Sequence, residues 1–381
     1  MTWTEVPFLQ ALRDVSGGNP KVPKSEFRDS GVLPVVDQGQ GILAGYVDDP
    51  DLAQRNDLPV IIFGDHTRCF KYIDFPFAVG ADGVKILAVE DGFDSRYVFW
   101  FLVSLDIPSA GYSRHYKYLK DFSVAKPPLA EQKRIAAVLD QADALRAKRR
   151  EAIALLDDLT QSIFLEMFGD PSVNSRGFEV RELETLVAEG DRINYGVVQP
   201  GRHIEGGIPL IRSGDLGRLG VDRSSLMRIA PDIESSYSRS RIAGNEILIG
   251  CVGAIGEVAI VSADDVGSNV ARAVARVPVA GDVDREYLAA YLRMDFAQHY
   301  FTRELRTVAQ PTLNIKQIKS APVVFPPSRL RTKFAERVRS VTQQRAVHVT
   351  HLAALDELFT SLQHRAFSGA LWDHGALDEA A

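Results

Sequence analysis

The stretch PPLAEQKRIAAVLDQADALRAKRREAIALLDDLTQSIFLEMF (residues 127–168) decides the fold of this chain, because it occurs twice. Its second copy, PPSRLRTKFAERVRSVTQQRAVHVTHLAALDELFTSLQHRAF, lies 199 residues later at 326–367. At that offset ALLDDL (154–159) aligns with AALDEL (353–358). An internal repeat indicates one structural unit that occurs twice. We therefore expect two matched long helices, each preceded by a larger head, with no visible similarity between the heads.

Both copies carry a stripe of positions with 4-3 spacing, held over more than four heptads. The stripe consists of Ile135, Leu139, Ala142, Arg146, Arg149, Ile153, Leu156, Thr160, Ile163 and Met167 in the first copy, and of Phe334, Val338, Val341, Arg345, His348, Leu352, Leu355, Phe359, Leu362 and Ala366 in the second. A period of 3.5 is typical of helices that pack along a seam. Pro-Pro precedes each copy, and Gly169 and Pro171 follow the first, as expected at helix ends. We predict two rods of about 40 residues and about 60 Å that pair antiparallel.

Four polar residues interrupt this stripe at matched positions near its middle: Arg146, Arg149, Arg345 and His348. Such side chains either fix the register of a helix pair or contact another subunit. Alternatively, they lie at the edge of the stripe with their charges in solvent. We predict spacer-helix or subunit contacts for all four.

The two heads have the same pattern of short apolar runs broken by Gly, Pro and Asp, which is typical of strands and tight turns. Each also contains one predicted helix, at 96–105 and at 285–301. We expect an α+β protein in which two mixed α/β heads are joined by two long antiparallel helices, in a pseudo-two-fold internal repeat. The predicted boundaries are 1–126 for the first head, 127–170 for the first helix, 171–325 for the second head, 326–370 for the second helix and 371–381 for a tail.

Composition is that of an ordinary soluble protein of two or three domains, with 381 residues and a net charge of −6. No apolar run approaches the roughly 18 residues of a membrane span, and no signal pattern opens the chain, so we expect a cytoplasmic protein. Cys69 and Cys251 are too few for a disulfide framework or a cysteine metal site, and we expect both thiols to be buried. Almost every cation of the second head is Arg. That enrichment indicates either phosphate and guanine recognition or a GC-rich genome.

Sequence motifs of catalysis are missing. The chain contains no P-loop, HExxH, GxSxG or EF-hand pattern, and neither the motif pair of a base methyltransferase nor an assembled nuclease signature. Their joint absence favours a binding protein over an enzyme, and we predict no metal site. A recognition module fused to a nuclease or methyltransferase, and a structural coiled-coil adaptor without a DNA role, are the alternatives.

The motif PPLAEQKRIAAVLD (127–140), with the helix ending LTQSIFLEMFGDP (159–171), resembles the central conserved region of the specificity subunit of type I restriction–modification systems. In the second head, GIPLIRSGDL, NEILIGCVGAIGEVAIV and QPTLNIKQIKSAPVVFPP resemble successive landmarks of that family's target-recognition domains. In the first head, LPVVDQGQGILAGY and YSRHYKYLKDF are similar but fainter landmarks. The second Pro-Pro junction lacks the Glu-Gln of the first. The short N-terminus predicts a first head without its first strand.

The resemblance implies a non-catalytic DNA-binding subunit whose heads each read a few base pairs, chiefly through the major groove. The paired helices would then set the distance between the halves of an asymmetric bipartite site. The implied partners are double-stranded DNA, two copies of an adenine methyltransferase subunit, and restriction subunits. S-adenosylmethionine, ATP and Mg²⁺ would belong to these partners, and this chain would bind no cofactor.

Candidate DNA-binding residues are donors or stacking groups in or beside Gly- or Pro-rich turns, where recognition residues concentrate. They are Gln38, Tyr46, Arg68, Lys71, Arg114, His115 and Lys117 in the first head, and Gln199, Arg202, His203, Arg212, Ser213, Thr312 and Asn314 in the second. For each of them, a phosphate contact or a solvated surface position is the alternative to base reading.

Overall fold

The computed structural model describes residues 3–81, 83–109, 111, 113–305 and 311–372. Tyr112 and Gln310, which open two of the sequence landmarks, lie outside the described residues, as does most of the predicted tail. The chain divides into two compact units, one formed by Met1–Lys148 with Leu352–Ala381 and the other by Arg149–His351. Since both divisions fall inside the long helices, each unit contains one head and one half of each helix.

The first head consists of short strands and three helices. In chain order they are β1 (Thr4–Pro7), α1 (Phe8–Ala11), β2 (Leu12–Asp14), β3 (Lys21–Val22), β4 (Leu33–Val36), β5 (Gly45–Val47), β6 (Val60–Gly64), β7 (Phe70–Ile73), β8 (Ala78–Gly80), β9 (Val84–Val89), α2 (Ser95–Val103), α3 (Tyr116–Leu119) and β10 (Ser123–Lys126). The strands form two four-stranded sheets, β2-β9-β6-β7 and β3-β8-β4-β5, while β1 pairs with β10. Helix α4 (Leu129–Phe168) follows directly.

The second head follows the same plan. Its elements are β11 (Glu179–Glu182), β12 (Asn194–Tyr195), β13 (Ile208–Ile211), β14 (Leu216–Gly217), β15 (Gly220–Val221), β16 (Met227–Ile229), α5 (Pro231–Ser235), β17 (Glu246–Gly250), β18 (Val258–Ile260), β19 (Asn269–Val270), β20 (Val274–Pro278), α6 (Arg285–Arg293), α7 (Asp295–Arg303), α8 (Ile315–Lys319) and β21 (Pro322–Phe325). Helix α9 (Ser328–Phe367) ends the described fold.

Strand pairing shows that the two heads share one topology. The sheet β12-β20-β17-β18 of the second head matches β2-β9-β6-β7 of the first, and β11-β21 matches β1-β10. The parallel pair β13–β19 matches β4–β8, and the antiparallel pair β13–β16 matches β4–β5. The repeat therefore extends over the heads, as the expected pseudo-two-fold repeat requires, and the structure adds the strand order that the sequences do not reveal. The second head additionally carries the hairpin β14–β15.

The N-terminal expectation is wrong, because the first head does have its first strand. Thr4 pairs with Lys126 at one end of β1, just as Glu179 pairs with Phe325 at the start of β11. The backbone N–H that follows each strand also matches, since Phe8 donates to Phe122 O and Leu183 to Ala321 O. Each head thus closes against the Pro-Pro junction through the same two-stranded ladder.

One of the two helices predicted in the heads is confirmed, and the other is divided in the structure. Helix α2 lies within one residue or two of the predicted 96–105. The predicted helix 285–301 is instead two helices, α6 and α7, because the backbone of Met294 is extended, with φ −67° and ψ 148°. The side chain of Met294 is buried at this break, where Met294 N donates to Tyr291 O at 3.0 Å and Gln298 Nε2 to Leu292 O at 2.6 Å.

The long helices form as predicted, and their stripe faces the core. Each is 40 residues long. All twenty stripe positions are buried or half-buried. Helix α4 ends at Phe168 because Gly169 adopts φ +79°, a conformation that favours glycine. Within each unit the two half-helices run antiparallel, as the contacts below show.

Each unit has one large core in which aromatic side chains of the head meet the helices. In the first unit the Tyr97 ring lies 5.6 Å from Phe367 and the Trp100 ring 5.4 Å from Phe359. In the second unit the Phe168 ring lies 5.0 Å from Tyr287 and 5.3 Å from Phe334. The heads are therefore packed onto their half-helices by buried aromatic area, which contributes strongly to stability.

Candidate nucleic-acid interface

The turn between β6 and β7 is the focus of the predicted first-head residues. His115 is buried, with its main-chain N–H donating to Asp65 O at 2.8 Å and its ring Nδ1 2.9 Å from the same oxygen. The Asp65 carboxylate accepts from Tyr116 N at 2.7 Å. Helix α3 is thereby fixed to this turn, and His115 serves that contact in the structure.

Gln38 and Lys71, two further predicted residues, also make contacts in this part of the first head. Gln38 Oε1 accepts from His66 N at 3.2 Å. Lys71 is buried, and its ammonium donates to Asp37 O at 2.7 Å and lies 3.5 Å from the Asp37 carboxylate. Burial lowers the pKa of Lys71, and the Asp37 charge partly offsets this effect. Both side chains bind protein atoms, so their roles as DNA contacts stay predictions.

Arg68, Arg114 and Lys117 are exposed in this region, unlike the buried Lys71. Arg68 has a positive φ of 63°, and its guanidinium donates to Ile107 O at 2.8 Å. Arg114 and Lys117 are exposed on either side of buried His115, and Lys117 Nζ lies 4.9 Å from the Tyr118 ring centre. The structure thus brings together six of the seven predicted first-head residues. Tyr46 is the exception, since it lies half-buried in β5 of the other sheet.

In the second head a basic depression beside β13 and β16 brings together His203 and Arg212. Arg223 and Arg228 line the same depression. His203 Nδ1 accepts from Arg228 N at 3.2 Å. The Arg212 guanidinium donates two hydrogen bonds to the Asp215 carboxylate, from Nε at 3.1 Å and from Nη2 at 2.9 Å. This fork raises the pKa of Arg212.

The other predicted residues of the second head are distributed around this depression and the β17–β18 turn. Gln199 and Arg202 are exposed in the segment that leads to β13. Ser213 and Thr312 are half-buried. Asn314 caps helix α8, and its own N–H donates to Gln317 Oε1 at 2.8 Å. The adjoining Leu313 N donates to Cys251 O, so this segment contacts the turn after β17 as His115 contacts the turn after β6.

A second cleft in this head was missed by sequence reasoning. Exposed Arg192 and Arg239 line it together with Asn194, whose Nδ2 donates to Arg239 O at 2.8 Å and whose buried Oδ1 has no partner among the described residues. Buried Arg276 supports the cleft by pairing with Asp191 and Glu246 at 2.8 Å each. The runs DRIN (191–194) and SRSR (238–241) are the sequence signal that would have identified it.

The four polar stripe residues all lie between the half-helices. In the first unit Arg146 Nε donates to Asp356 at 2.6 Å, and its guanidinium lies 4.3 Å from the Phe359 ring centre. In the second unit Arg345 binds Asp157 through two nitrogens, at 2.8 and 3.2 Å. These two ion pairs are equivalent under the 199-residue repeat.

The remaining pair lies entirely in the second unit, where Arg149 donates to His348 Nδ1 at 2.7 Å. The positions of the three pairs fix the register of the half-helices, because each joins one turn of α4 to one turn of α9. Contacts of these residues with another subunit stay a prediction.

Comparison with known proteins places this architecture. The chain is 30% identical over 323 residues to the type I restriction enzyme EcoBI specificity subunit of Escherichia coli, covering 75% of this chain and 68% of that protein. The chain belongs to that family. Specificity subunits recognise the DNA target, and residues 178–355 accordingly match the model of the type I restriction modification DNA specificity domain.

Two further similar proteins are also specificity (S) subunits of type I systems. The specificity subunit of the E. coli enzyme EcoR124I/EcoR124II is 28% identical over 221 residues, which span 53% of each chain. The crystal structure of a type I restriction–modification S subunit from M. genitalium matches with a TM-score of 0.61 at 15% identity, over 96% of both chains. At that identity the structural match supports the specificity-subunit fold alone.

The described residues contain neither a membrane-spanning helix nor a metal-binding cluster. No described helix is long and apolar enough to cross a membrane. No group of His, Cys, Asp and Glu in the described ranges has the arrangement of a metal site. The described surface instead offers guanidinium, ammonium and amide donors, which are the groups that contact phosphates and base edges.

Proposed function

We propose that this specificity subunit reads an asymmetric bipartite DNA site and positions methyltransferase and restriction subunits on it. The observation that carries the proposal is that two heads of one topology present different residues at corresponding turns. His115 contacts Asp65 in the first head, where Leu313 contacts Cys251 in the second. Equal scaffolds with unlike turns favour two half-sites of similar size and different sequence.

The proposed reading groups are the exposed donors, because a buried donor that is already bonded cannot reach a base edge. They are Arg114 and Lys117 in the first head, and Arg192, Gln199, Arg202 and Arg239 in the second. Arg suits both the bidentate contact with guanine and the phosphate contact. The net charge of −6 fits a reader whose partners share the phosphate contacts.

The long helices support the spacing part of the proposal. A helix of 40 residues is about 60 Å long, and ion pairs in each unit hold the half-helices in register. In the proposed function this pair sets the length of the unread gap. A change of whole helical turns would therefore change the gap and leave the half-site sequences unaltered.

The internal repeat also supports two copies of one partner, because two equivalent units offer two equivalent binding surfaces. We assign these to adenine methyltransferase subunits, with restriction subunits joining the complex. S-adenosylmethionine, ATP and Mg²⁺ belong to those partners in this proposal, and the chain itself performs no chemistry. The methyltransferase would rotate the target adenine out of the duplex before methylating it.

Methylome sequencing of cells with and without this gene tests the proposal. The expected result is that deletion removes adenine methylation from one bipartite motif, and that the gene on a plasmid restores it. An unchanged methylome, or loss of a motif without a gap, would contradict it. As a second test, the purified chain alone, given DNA, S-adenosylmethionine, ATP and Mg²⁺, should neither methylate nor cleave the DNA.

A further inference from the structure

The second unit contains a partly open pocket where its two half-helices meet the head. Helices α4 and α9, the α6–α7 break and the β14–β15 hairpin form its walls. Its internal volume is about 60 Å³, several times the ~10–15 Å³ that one water molecule requires. Phe164, Leu219, Ala290, Met294, Val338 and Val341 provide an apolar lining, and Thr160, Gln161 and Thr342 provide polar groups.

The repeat explains why this space exists. Tyr97 Oη donates to Ala125 O in the first unit, and Tyr287 Oη donates to Val324 O in the second, which aligns α2 with α6. Under this alignment Trp100 corresponds to Ala290, while Phe359 corresponds to Thr160 under the helix repeat. Trp100 and Phe359 pack 5.4 Å apart in the first unit. Their small counterparts leave the corresponding space of the second unit open.

Charge is concentrated around the pocket. Arg218, Arg293 and Arg345 line it, together with one carboxylate, that of Asp157. Arg345 already binds Asp157 through two nitrogens, and Arg218 lies 3.7 Å from the same carboxylate. Three guanidinium groups thus line the pocket beside one lining carboxylate, and the Glu257 carboxylate outside the lining also acts on Arg293. The lining itself therefore carries an excess of positive charge.

Of the three guanidinium groups, that of Arg293 gives the strongest indication of an anion site. Its guanidinium donates to two main-chain carbonyls, Val258 O at 2.7 Å and Arg218 O at 3.2 Å. Burial lowers the pKa of Arg293 to about 10, which leaves it charged at neutral pH. Under the repeat its counterpart is Val103, an apolar residue. A buried cation is stabilised by a nearby anion, and the second unit has gained the cation together with the space.

We propose that this pocket binds a small oxyanion, either a phosphate or a small carboxylate, from solution. Both anions match the planar fork of a guanidinium, and the volume accommodates a group of that size. The bound anion would neutralise Arg218 and Arg293 and join the β14–β15 hairpin to the half-helices. It would thereby stabilise the second unit in a concentration-dependent manner.

Titration of the full chain with inorganic phosphate or malonate, at constant ionic strength set with chloride, tests this inference by calorimetry and thermal unfolding. We expect saturable binding of one equivalent of at least one of the two anions. Thr160→Phe, which restores the aromatic residue of the first unit, should weaken binding about tenfold or more. Stronger binding of phosphate or of malonate identifies the chemical source.

Three further variants keep the test decisive if Thr160→Phe does not fold. Arg218→Ala on the exposed hairpin should weaken binding severalfold, whereas Lys333→Ala, an exposed cation of α9 outside the pocket lining, should not. Phe359→Thr opens the corresponding space of the first unit without supplying an Arg293 counterpart, and should add no second equivalent. Absence of saturable binding of both anions, or binding that Arg218→Ala leaves unchanged, would overturn the inference.

Discussion

The two heads have the same strand topology but hold their junctions with different chemistry. In the first unit Gln132 donates to Pro127 O at 2.9 Å and to Gly92 O at 3.2 Å. In the second, Arg331 occupies the equivalent position and donates to Pro326 O and Asp282 O, at 2.7 Å each. The missing Glu-Gln of the second junction is thus replaced by an Arg that binds the equivalent carbonyls.

A second difference is a reversal of charge. Arg96 of α2 binds Asp140 of α4 at 2.8 Å in the first unit, whereas Glu286 of α6 binds Arg339 of α9 at 2.9 Å in the second. The positions are equivalent, and acid and base have exchanged places. Backbone geometry is therefore what the repeat preserves, while individual side chains have diverged in compensating pairs. Attaching either head to the wrong helix would place like charges together.

The largest effect should come from the aromatic residues that attach each head to its helix. We expect Phe168→Ala to lower the free energy of unfolding by about 4 kcal/mol, since Phe168 is buried among rings, and the equivalent Phe367→Ala by about 2 kcal/mol, since Phe367 is half-buried. Urea denaturation, with hydrogen exchange to assign the unit, measures both. Leu165→Ala on the exposed face is the control, and equal losses for the two Phe variants would contradict the comparison.

The next largest effect on the free energy of unfolding is expected from substitutions at the two Pro-Pro junctions. Arg331→Met leaves two carbonyls and Asp284 without their partner, and should cost about 3 kcal/mol of unfolding free energy. Gln132→Met removes neutral hydrogen bonds alone and should cost about 2 kcal/mol. The same denaturation measurement applies. Arg331→Gln should recover part of the loss, and a cost equal to that of Arg331→Met would show that Gln cannot reach these carbonyls here.

DNA binding tests whether Arg114 and Lys117 lie in the interface while other exposed cations of the same head do not. Arg114→Ala with Lys117→Ala should weaken binding of the assembled methyltransferase to its site about tenfold and reduce the salt slope by about 2, if both contact phosphates. Fluorescence anisotropy at several salt concentrations measures both quantities. Lys21→Ala with Lys24→Ala removes the same charge from the same head as a control. Equal affinities for the two double variants would remove Arg114 and Lys117 from the interface.

A smaller effect is expected from the reversed ion pair. Asp140→Arg places like charges beside Arg96 and removes the acceptor of Trp100 Nε1, and should cost about 1 to 2 kcal/mol. Adding Arg96→Glu recreates the polarity of the second unit and should restore about 0.5 kcal/mol. Unfolding of the two variants checks this. A double variant no more stable than Asp140→Arg would show that the charges do not couple.

The reactivity of the two cysteine thiols, one in each unit, compares the units by a measurement other than stability. Sequence composition predicted both to be buried, but Cys69 is half-buried while Cys251 is fully buried, and burial raises the pKa of Cys251 to about 12. At pH 8 we expect iodoacetamide to label Cys69 and to leave Cys251 unmodified, because the thiolate is the reactive form. Mass spectrometry of the native protein measures both sites. Equal labelling would contradict the placement of Cys251.

Sequence predicted the parts of the fold that depend on periodicity. The stripe, the Pro-Pro starts and the Gly169 stop specified both long helices, because helix packing requires apolar residues at regular spacing. The run pattern predicted two similar heads but not their strand order, since compensating replacements such as Gln132 and Arg331 preserve contacts without preserving residue types. The break at Met294 was missed for a related reason, as only tertiary packing distinguishes it from a helical residue.

Among the candidate site residues, the sequence grouped six first-head residues that the structure places together, but it did not show which of their side chains are exposed. Gly-rich turns identified the β6–β7 region, but whether a donor is buried depends on residues far along the chain. His115 and Lys71 are bound to Asp65 and Asp37, which no local pattern indicates. The cleft with Arg192 and Arg239 likewise forms from segments about 45 residues apart.

The division of the chain also has a consequence for synthesis on the ribosome. The second unit is continuous, from Arg149 to His351, whereas the first needs Leu352–Ala381 to complete its core. Phe359 and Ala366, both buried in that core, are among the last described residues to be translated. The core of the first unit can therefore be completed only after the whole second unit has been translated, in reverse of the usual order of emergence. A nascent chain that stops early would release a complete second unit with an open, apolar first unit, which is the form that chaperones and proteases select.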